Sequence, residues 1–453
     1  LSDEHKNLYL WWVMRLSFLI FLTLPVCLFA QAVKDREGAL RADREKMTHQ
    51  DRWIYDDPEL AFKKAQQNHR PVLAVLRCVP CLGCSRLDSS IMQDETLTHL
   101  LDQYVCLRLI KVNSLDLKRF QFDYDLSLSA IVLNADGTTY GRFGSWAHQK
   151  DPQLEETEGL KSFLEGALSL HQDYPKNKVA LSAKQPKQTP YRTPLEMPAI
   201  AQNPRAFTPD LDWQGKVVQS CLHCHQIGDA AKSQLHDNGR PLPLKISHPF
   251  PEPKAIGINL TLTHRAQISS VIEGSPADQA GLQTGDEILF ANQSPLISSA
   301  DLSWLLHHLS SSRLDLIIER KGQRIHTTLA LPENWRLEAD ISRRVGTWPM
   351  RAWIGGGMKL QDLTDQEREQ NGLSLTQLAL RAEHVGQYAK HAAAKRQGFR
   401  KGDLIVQIGP YNQRLSESKL FALLLKDNDF KPVLLKAKVL RNGKEISLSF
   451  PIQ

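Results

Sequence analysis

One block of this sequence occurs twice, and a repeated block constrains the fold strongly because each copy must form the same structural unit. Gly281-Leu282-Gln283-Thr284-Gly285-Asp286-Glu287-Ile288-Leu289 returns as Gly398-Phe399-Arg400-Lys401-Gly402-Asp403-Leu404-Ile405-Val406. In both copies Gly-x-x-x-Gly-Asp marks a turn and the apolar run after it reads as a strand. Each block precedes a helix-like segment, Ala300 to Leu309 and Ser416 to Leu425. Two strands joined by a basic-Gly turn follow, at Arg320-Lys321-Gly322 and Arg441-Asn442-Gly443. The C-terminal part is therefore expected to hold two β-rich domains, residues 251–332 and 336–453.

The rest of the chain has a different rhythm. From Trp53 to Tyr174 helical and strand patterns alternate, as in an α/β unit. Pro71-Val72-Leu73-Ala74-Val75-Leu76 is a buried-strand run, Ser85 to Tyr104 has helical spacing, Tyr104 to Val112 is strand-like, and Ala130 to Asn134 leads into an Asp136-Gly137 turn. Residues 175–212, rich in Pro, Lys, Gln and Thr and without periodicity, read as a linker, and 213–250 as a short separate element. A length of 453 residues suits such a multidomain plan. The net charge of +6 is scattered along the chain and leaves no nucleic-acid footprint.

Near the start, Met14-Arg15 is followed by an apolar run from Leu16 to Phe29 that closes in Ala30-Gln31-Ala32. This order predicts a signal peptide over 1–32, with Met14 as the true start and an exported, periplasmic destination. An uncleaved signal would instead associate the chain with the membrane. Export also changes how the seven cysteines are read, since Cys27 leaves with the signal and an oxidising compartment permits disulfides and covalent haem attachment. The others lie at Cys78, Cys81, Cys84 and Cys106, and at Cys221 and Cys224, too few for a disulfide-stapled scaffold.

A strand followed by Cys81-Leu82-Gly83-Cys84 and Arg86-Leu87-Asp88 resembles the exported thioredoxin-like proteins, over roughly residues 53–170. The resemblance implies a thioredoxin-like α/β sandwich in which Cys81 attacks and Cys84 resolves the mixed disulfide. A thiol at a helix N-terminus favours the thiolate, which suits that chemistry. Cys78 is an extra residue. Cys78, Cys81 and Cys84 together could alternatively bind a soft metal such as copper, or form a structural disulfide. Cys106 reads as a buried small hydrophobe or a partner for Cys78.

Cys221-Leu222-His223-Cys224-His225 resembles the haem-attachment motif of c-type cytochromes. Two thiols a helical turn apart and an adjacent imidazole can present themselves to one porphyrin. The resemblance implies haem c held by Cys221 and Cys224 with His225 on the iron, in a short helical element. His248 and His236, or Met197, Met350 and Met358, are candidate sixth ligands. The other readings are a zinc site and a plain disulfide.

The repeat resembles the PDZ domains of bacterial envelope proteins such as the HtrA proteases. Ser275-Pro276-Ala277-Asp278-Gln279-Ala280-Gly281-Leu282 and Gly285-Asp286 carry the likeness in the first copy, and Ala392-Ala393-Ala394 with Gly398-Phe399 and Gly402-Asp403 in the second. The resemblance implies two PDZ-like, partly open β-barrels. Ile256, Gly257 and Ile258 would then stand where a carboxylate-binding loop receives a peptide C-terminus. No Gly-x-Ser-x-Gly, Gly-Asn-Ser-Gly-Gly or His-Glu-x-x-His motif occurs, so the sequence reading rejects a peptidase. These readings combine into an exported thiol-redox and electron-transfer protein, a thiol-disulfide oxidoreductase bearing haem c. It would dock an envelope redox partner and peptide C-termini through two PDZ domains. The alternative is a non-enzymatic PDZ scaffold whose cysteines hold copper or another metal, or a disulfide.

Overall fold

Apolar residues fill Val72–Arg77 almost without interruption, and the computed structural model buries the whole of this strand, β2. The structure describes residues 35–77, 94–126, 128–144, 154–203, 207–428 and 432–453. The expected signal segment and the Cys78, Cys81 and Cys84 trio lie outside the described residues.

β2 is central in a sheet that also contains β1 (Trp53–Tyr55), β3 (Val105–Leu109), β4 (Leu128–Leu133) and β5 (Thr139–Phe143), in the order β1-β3-β2-β4-β5. β3 runs parallel to β1 and β2, whereas β4 and β5 are antiparallel additions. Successive side chains point to opposite faces, so a wholly apolar strand requires cover on both. On one face Val72, Ala74 and Leu76 meet the helix Pro58–Asn68 together with Leu222, Cys224 and Ile227 from the motif region. On the other, Leu73 and Val75 meet Phe163, Leu164 and Ala167 of the helix Leu154–Gln172. The 58–68 helix begins where Pro58 supplies the first helical φ and Asp57 accepts the Leu60 N–H at 2.9 Å.

Residues 175–212 do not act as a spacer. Leu181 and Lys184 are fully buried and Met197, Ile200 and Leu211 nearly so. Lys184 Nζ reaches Asp301 Oδ2 at 2.8 Å and the Tyr140 carbonyl at 2.7 Å, which fastens this strap between β5 and the first repeat. Periodicity could not reveal it, because what holds the strap is a charge pair with a residue far along the chain.

The first repeat contains β6 (Ile258–Leu260), β7 (Ile268–Val271), β8 (Glu287–Ala291), β9 (Ser294–Pro295), the helix Ser299–His308, β10 (Arg313–Arg320) and β11 (Gln323–Ala330). The second has β12 (Met358–Asp362), β13 (Leu380–Val385), β14 (Leu404–Ile408), the helix Glu417–Asn428, β15 (Val433–Arg441) and β16 (Lys444–Ile452) in one sheet. Their shared device is a buried aspartate. Arg320 donates to Asp286 Oδ1 at 2.7 Å, Asp286 Oδ2 at 2.8 Å and the Gly281 carbonyl at 2.8 Å. Arg441 does the same to Asp403 at 2.7 and 2.8 Å and to the Gly398 carbonyl at 2.8 Å. Each carboxylate also accepts a backbone N–H at 2.8 Å, from Gln283 and Arg400. Bidentate pairing and a backbone donor are what a carboxylate needs to be buried. The Gly-x-x-x-Gly-Asp block is thus the sequence trace of an arginine clamp.

The first repeat is welded to the upstream sheet. Ile297 packs into the core beneath β4 and β5, and a Cβ on Gly141 would stand only 2.5 Å from its Cδ1. Arg142 donates its N–H to Asp301 Oδ1 at 2.9 Å, and Ser298 Oγ donates to the Arg142 carbonyl.

Candidate functional site

The groove of the first repeat lies between β6 and the 299–308 helix. Residues Pro253–Ile256 form one 3-10 turn, after which Gly257 turns the chain into β6 with φ +92°. A side chain there would be strained, and its Cβ would fall 2.0 Å from Ser275 Oγ. Ile256 and Ile258, flanking it, are fully buried and fix the loop on the core. Beyond the loop, Ile258, Asn259 and Leu260 form one wall of a pocket of about 220 Å³, with Ser299, Ser303 and Trp304 opposite. Phe122, Leu126 and Phe143 of the upstream domain close the outer side.

The second repeat has the same frame but a filled groove. Gly357, at φ +87°, precedes β12 as Gly257 precedes β6. Leu360 pairs with Ala382 past a bulge, as Leu260 pairs with Ile268. Glu417 begins the 417–428 helix as Ser299 begins the 299–308 helix, each just after a serine whose Oγ accepts the N–H three residues on. Glu417 Oε1 accepts the Leu360 N–H at 2.8 Å, while Arg351 holds the carboxylate at 3.0 and 2.6 Å. Both charged side chains are essentially unexposed. The strand N–H that an added peptide strand would use is already occupied within the chain.

The cysteine-histidine motif is built differently from its expectation. Cys221 has extended backbone, φ −89° and ψ 124°, and the helix starts only at His225 and runs to Asp237. No single short helix carries all of Cys221, Cys224 and His225. Cys221 packs with Leu40, Ile110, Leu211 and Val217, whereas Cys224 belongs to the core under the sheet. Asn113 fixes this path, receiving the Leu222 N–H on Oδ1 at 2.8 Å and donating Nδ2 to the Ser220 and Thr208 carbonyls. His225 Nδ1 lies 2.9 Å from Asp229 Oδ2. Cys221 and Cys224 thus belong to two different apolar clusters, and His225 stands at the first position of the following helix. His248, a candidate sixth ligand, is fully buried with Nδ1 at 3.0 Å from Ser247 Oγ and Nε2 at 3.2 Å from the Ser418 carbonyl. Met350 and Met358 are core residues of the second repeat. Among the described residues no three His, Cys, Asp or Glu side chains gather as a metal site.

Comparison with known proteins identifies two parts of the chain. A family profile described as "PDZ domain" matches residues 254–331, and one described as "Thioredoxin-like" matches 53–134. Only the first repeat is matched as a PDZ domain. The chain is 30% identical over 191 residues to "Probable periplasmic serine endoprotease DegP-like" of Pseudomonas savastanoi pv. phaseolicola (strain 1448A / Race 6), covering 41% of this chain and 37% of that protein. The protein of the same name from Pseudomonas putida (strain W619) is 30% identical over 193 residues, covering 41% and 38%. The chain thus spans well under half the length of these curated relatives. Among solved structures it is similar to the HtrA3 PDZ domain bound to a phage-derived ligand (FGRWV), at 26% identity and TM-score 0.15 over 17% of this chain and 81% of that one. It is also similar to the HtrA-type protease AlgWS227A with decapeptide, at 17% identity and TM-score 0.23 over 41% and 55%.

These relatives are periplasmic, in agreement with the exported localisation read from the sequence. They overturn the functional reading. Proteins named serine endoproteases stand where a haem-bearing redox carrier was expected, and neither that carrier nor the metal-holding scaffold set beside it is supported.

Proposed function

We propose that this protein captures the exposed C-termini of polypeptide chains in the cell envelope, as the recognition part of a proteolytic system of the DegP-like kind. The observation that carries the reading is the open groove between β6 and the 299–308 helix, within the segment matched as a PDZ domain. The loop Ile256-Gly257-Ile258 would receive the terminal carboxylate once the Gly257 N–H gives up its 3.0 Å bond to the Lys254 carbonyl, and the peptide would add as a strand to β6. The second repeat is read as a PDZ-like unit of structural use, since its arginine clamp copies the first and Glu417 fills its groove.

Fluorescence anisotropy of a labelled peptide with an apolar C-terminus tests the reading. Binding to the full chain is expected for the free carboxylate and not for the amidated peptide, and equal binding of the two overturns it. Hydrolysis by the chain itself is a second reading, favoured by the names of the relatives. Against it, the sequence lacks a Gly-Asn-Ser-Gly-Gly turn, and Ser247, which meets His248, sits in a core where that histidine's other nitrogen faces a backbone carbonyl. A fluorophosphonate probe distinguishes the two, because labelling of a single serine together with casein degradation would establish proteolysis.

A further inference from the structure

The groove of the PDZ domain is walled in part by the thioredoxin-like domain, and one side chain of that wall has spare donor capacity. Arg142, on β5, is 3% exposed. Its Nε donates to the Gln121 carbonyl at 2.7 Å and its Nη1 to the Lys184 carbonyl at 2.8 Å. Nη2 is buried and has no hydrogen-bond partner among the described residues, and the same holds for Ser129 Oγ on β4, a residue also 3% exposed. Both residues line the pocket that contains Leu260 and Ser299. A buried guanidinium donor left unmatched is costly, and two unmatched donors on one pocket point to an acceptor brought by a ligand.

The second repeat shows which part of a bound peptide would lie there. In it the first residue of the helix, Glu417, reaches the Leu360 N–H across the groove. By the matching bulges and helix starts, Ser299 faces Leu260 in the first repeat, and the Leu260 N–H points into the open groove. A peptide adding antiparallel to β6, with its carboxylate at the Gly257 loop, sets its last residue beside Ile258. The residue two positions earlier then lies beside Leu260. Arg142 is clamped onto this same turn, through Ser298 and Asp301, with its guanidinium 3.5 Å from the Trp304 ring centroid. Of the other charges on the pocket, Asp123 pairs with Arg344 at 2.8 Å and Glu252 with Arg343 at 3.5 Å, while Lys254 is a second cation on the lining. Burial also pushes the Arg142 guanidinium down to about 9, the mark of a cation with too little compensation.

We propose that the thioredoxin-like domain completes the peptide site, with Arg142 Nη2 and Ser129 Oγ receiving an acidic side chain two residues before the C-terminus. The assignment rests on the groove taking a C-terminus, as proposed above. It gives the thioredoxin-like domain a role in selecting which chain ends are held, independent of any cysteine.

The test uses the full chain and labelled peptides identical except for Glu, Gln or Lys two positions from the free carboxylate. A charge-assisted hydrogen bond in a buried site predicts about tenfold tighter binding of the Glu peptide than of the Gln peptide, with Lys weakest. R142Q should abolish the Glu preference, read as the ratio of Glu-peptide to Gln-peptide affinity, and S129A should reduce that ratio. Because R142Q also disturbs two carbonyl contacts, the peptide series on the unaltered protein and on S129A decides the matter if that variant does not fold. Carboxylate-dependent binding with equal affinity for Glu and Gln overturns the Arg142 assignment alone. Binding that ignores amidation, or no binding of any peptide, overturns the groove reading and this inference with it.

Discussion

His248 illustrates at the scale of one residue how burial sets a stability profile. It is fully buried, its Nε2–H donates to the Ser418 carbonyl, and burial pushes its pKa down to about 4 from 6.5. The folded state therefore keeps it neutral, while an unfolded chain takes up a proton as the pH falls through 6.5. Native stability from this group is complete above about 6.5 and is lost as the pH falls toward about 4, at about 1.4 kcal/mol for each pH unit in that window. Urea denaturation followed across this range should show the decline, and His248→Phe should make it shallower, since burial also lowers His307 and His308; an unchanged slope in the variant would assign the decline to other groups. Cys106 makes the opposite case of an inert group. Its thiol is 1% exposed and burial pushes it up to about 12, so a maleimide should label it only after unfolding.

Between residues and domains stand the two arginine clamps. Removing the buried carboxylate in Asp286→Ala strands the Gln283 N–H and one partly exposed guanidinium, and Asp403→Ala strands the Arg400 N–H in the same way. Each change should lower stability by about 1–3 kcal/mol, read as a shift in urea midpoint, and the two losses should be similar because the contacts match bond for bond. Unequal losses would mean that the shared geometry does not carry shared energetics. The parts of this element were legible in the sequence because they are local turns, the Gly-x-x-x-Gly-Asp block and the basic-Gly hairpin, whereas their pairing through Asp286 with Arg320 and Asp403 with Arg441 was not. The strap at 175–212 was not, since Lys184 is explained only by Asp301, with which it shares no sequence pattern. The backbone path of the cysteine-histidine motif was hidden for a related reason. Spacing implies a helix presenting three ligands, but Asn113, from another domain, holds Cys221 and Leu222 in an extended path instead. The plugged second groove was equally hidden, because nothing local marks Glu417 as the partner of Leu360 and Arg351.

For the whole molecule, the question is whether the thioredoxin-like and PDZ parts behave as beads on a string, and the contacts between them say that they do not. Ile297 belongs to the core beneath the upstream sheet, and Trp304 donates its indole N–H to the Ala183 carbonyl at 3.0 Å. Asp301, fully buried, accepts from Lys184 and from the Arg142 and Ile297 backbone N–H groups at 2.8, 2.9 and 3.3 Å. Taking away one member of such a buried pair leaves the other charge in a medium that cannot solvate it, which costs about 3–5 kcal/mol. Lys184→Met should therefore destabilise the PDZ segment as much as the strap that carries the mutation. Adding Asp301→Leu should recover only part of the loss, because two backbone N–H groups then lack their acceptor. Hydrogen exchange provides the sharper measurement. If the sheet and the 299–308 helix form one cooperative unit, the amides of β4 and of that helix should open with the same free energy, and Lys184→Met should lower both equally. Separate opening energies, with the helix unaffected, would show that the PDZ groove is free of the domain that walls it, and the peptide preference assigned to Arg142 would lose its structural basis.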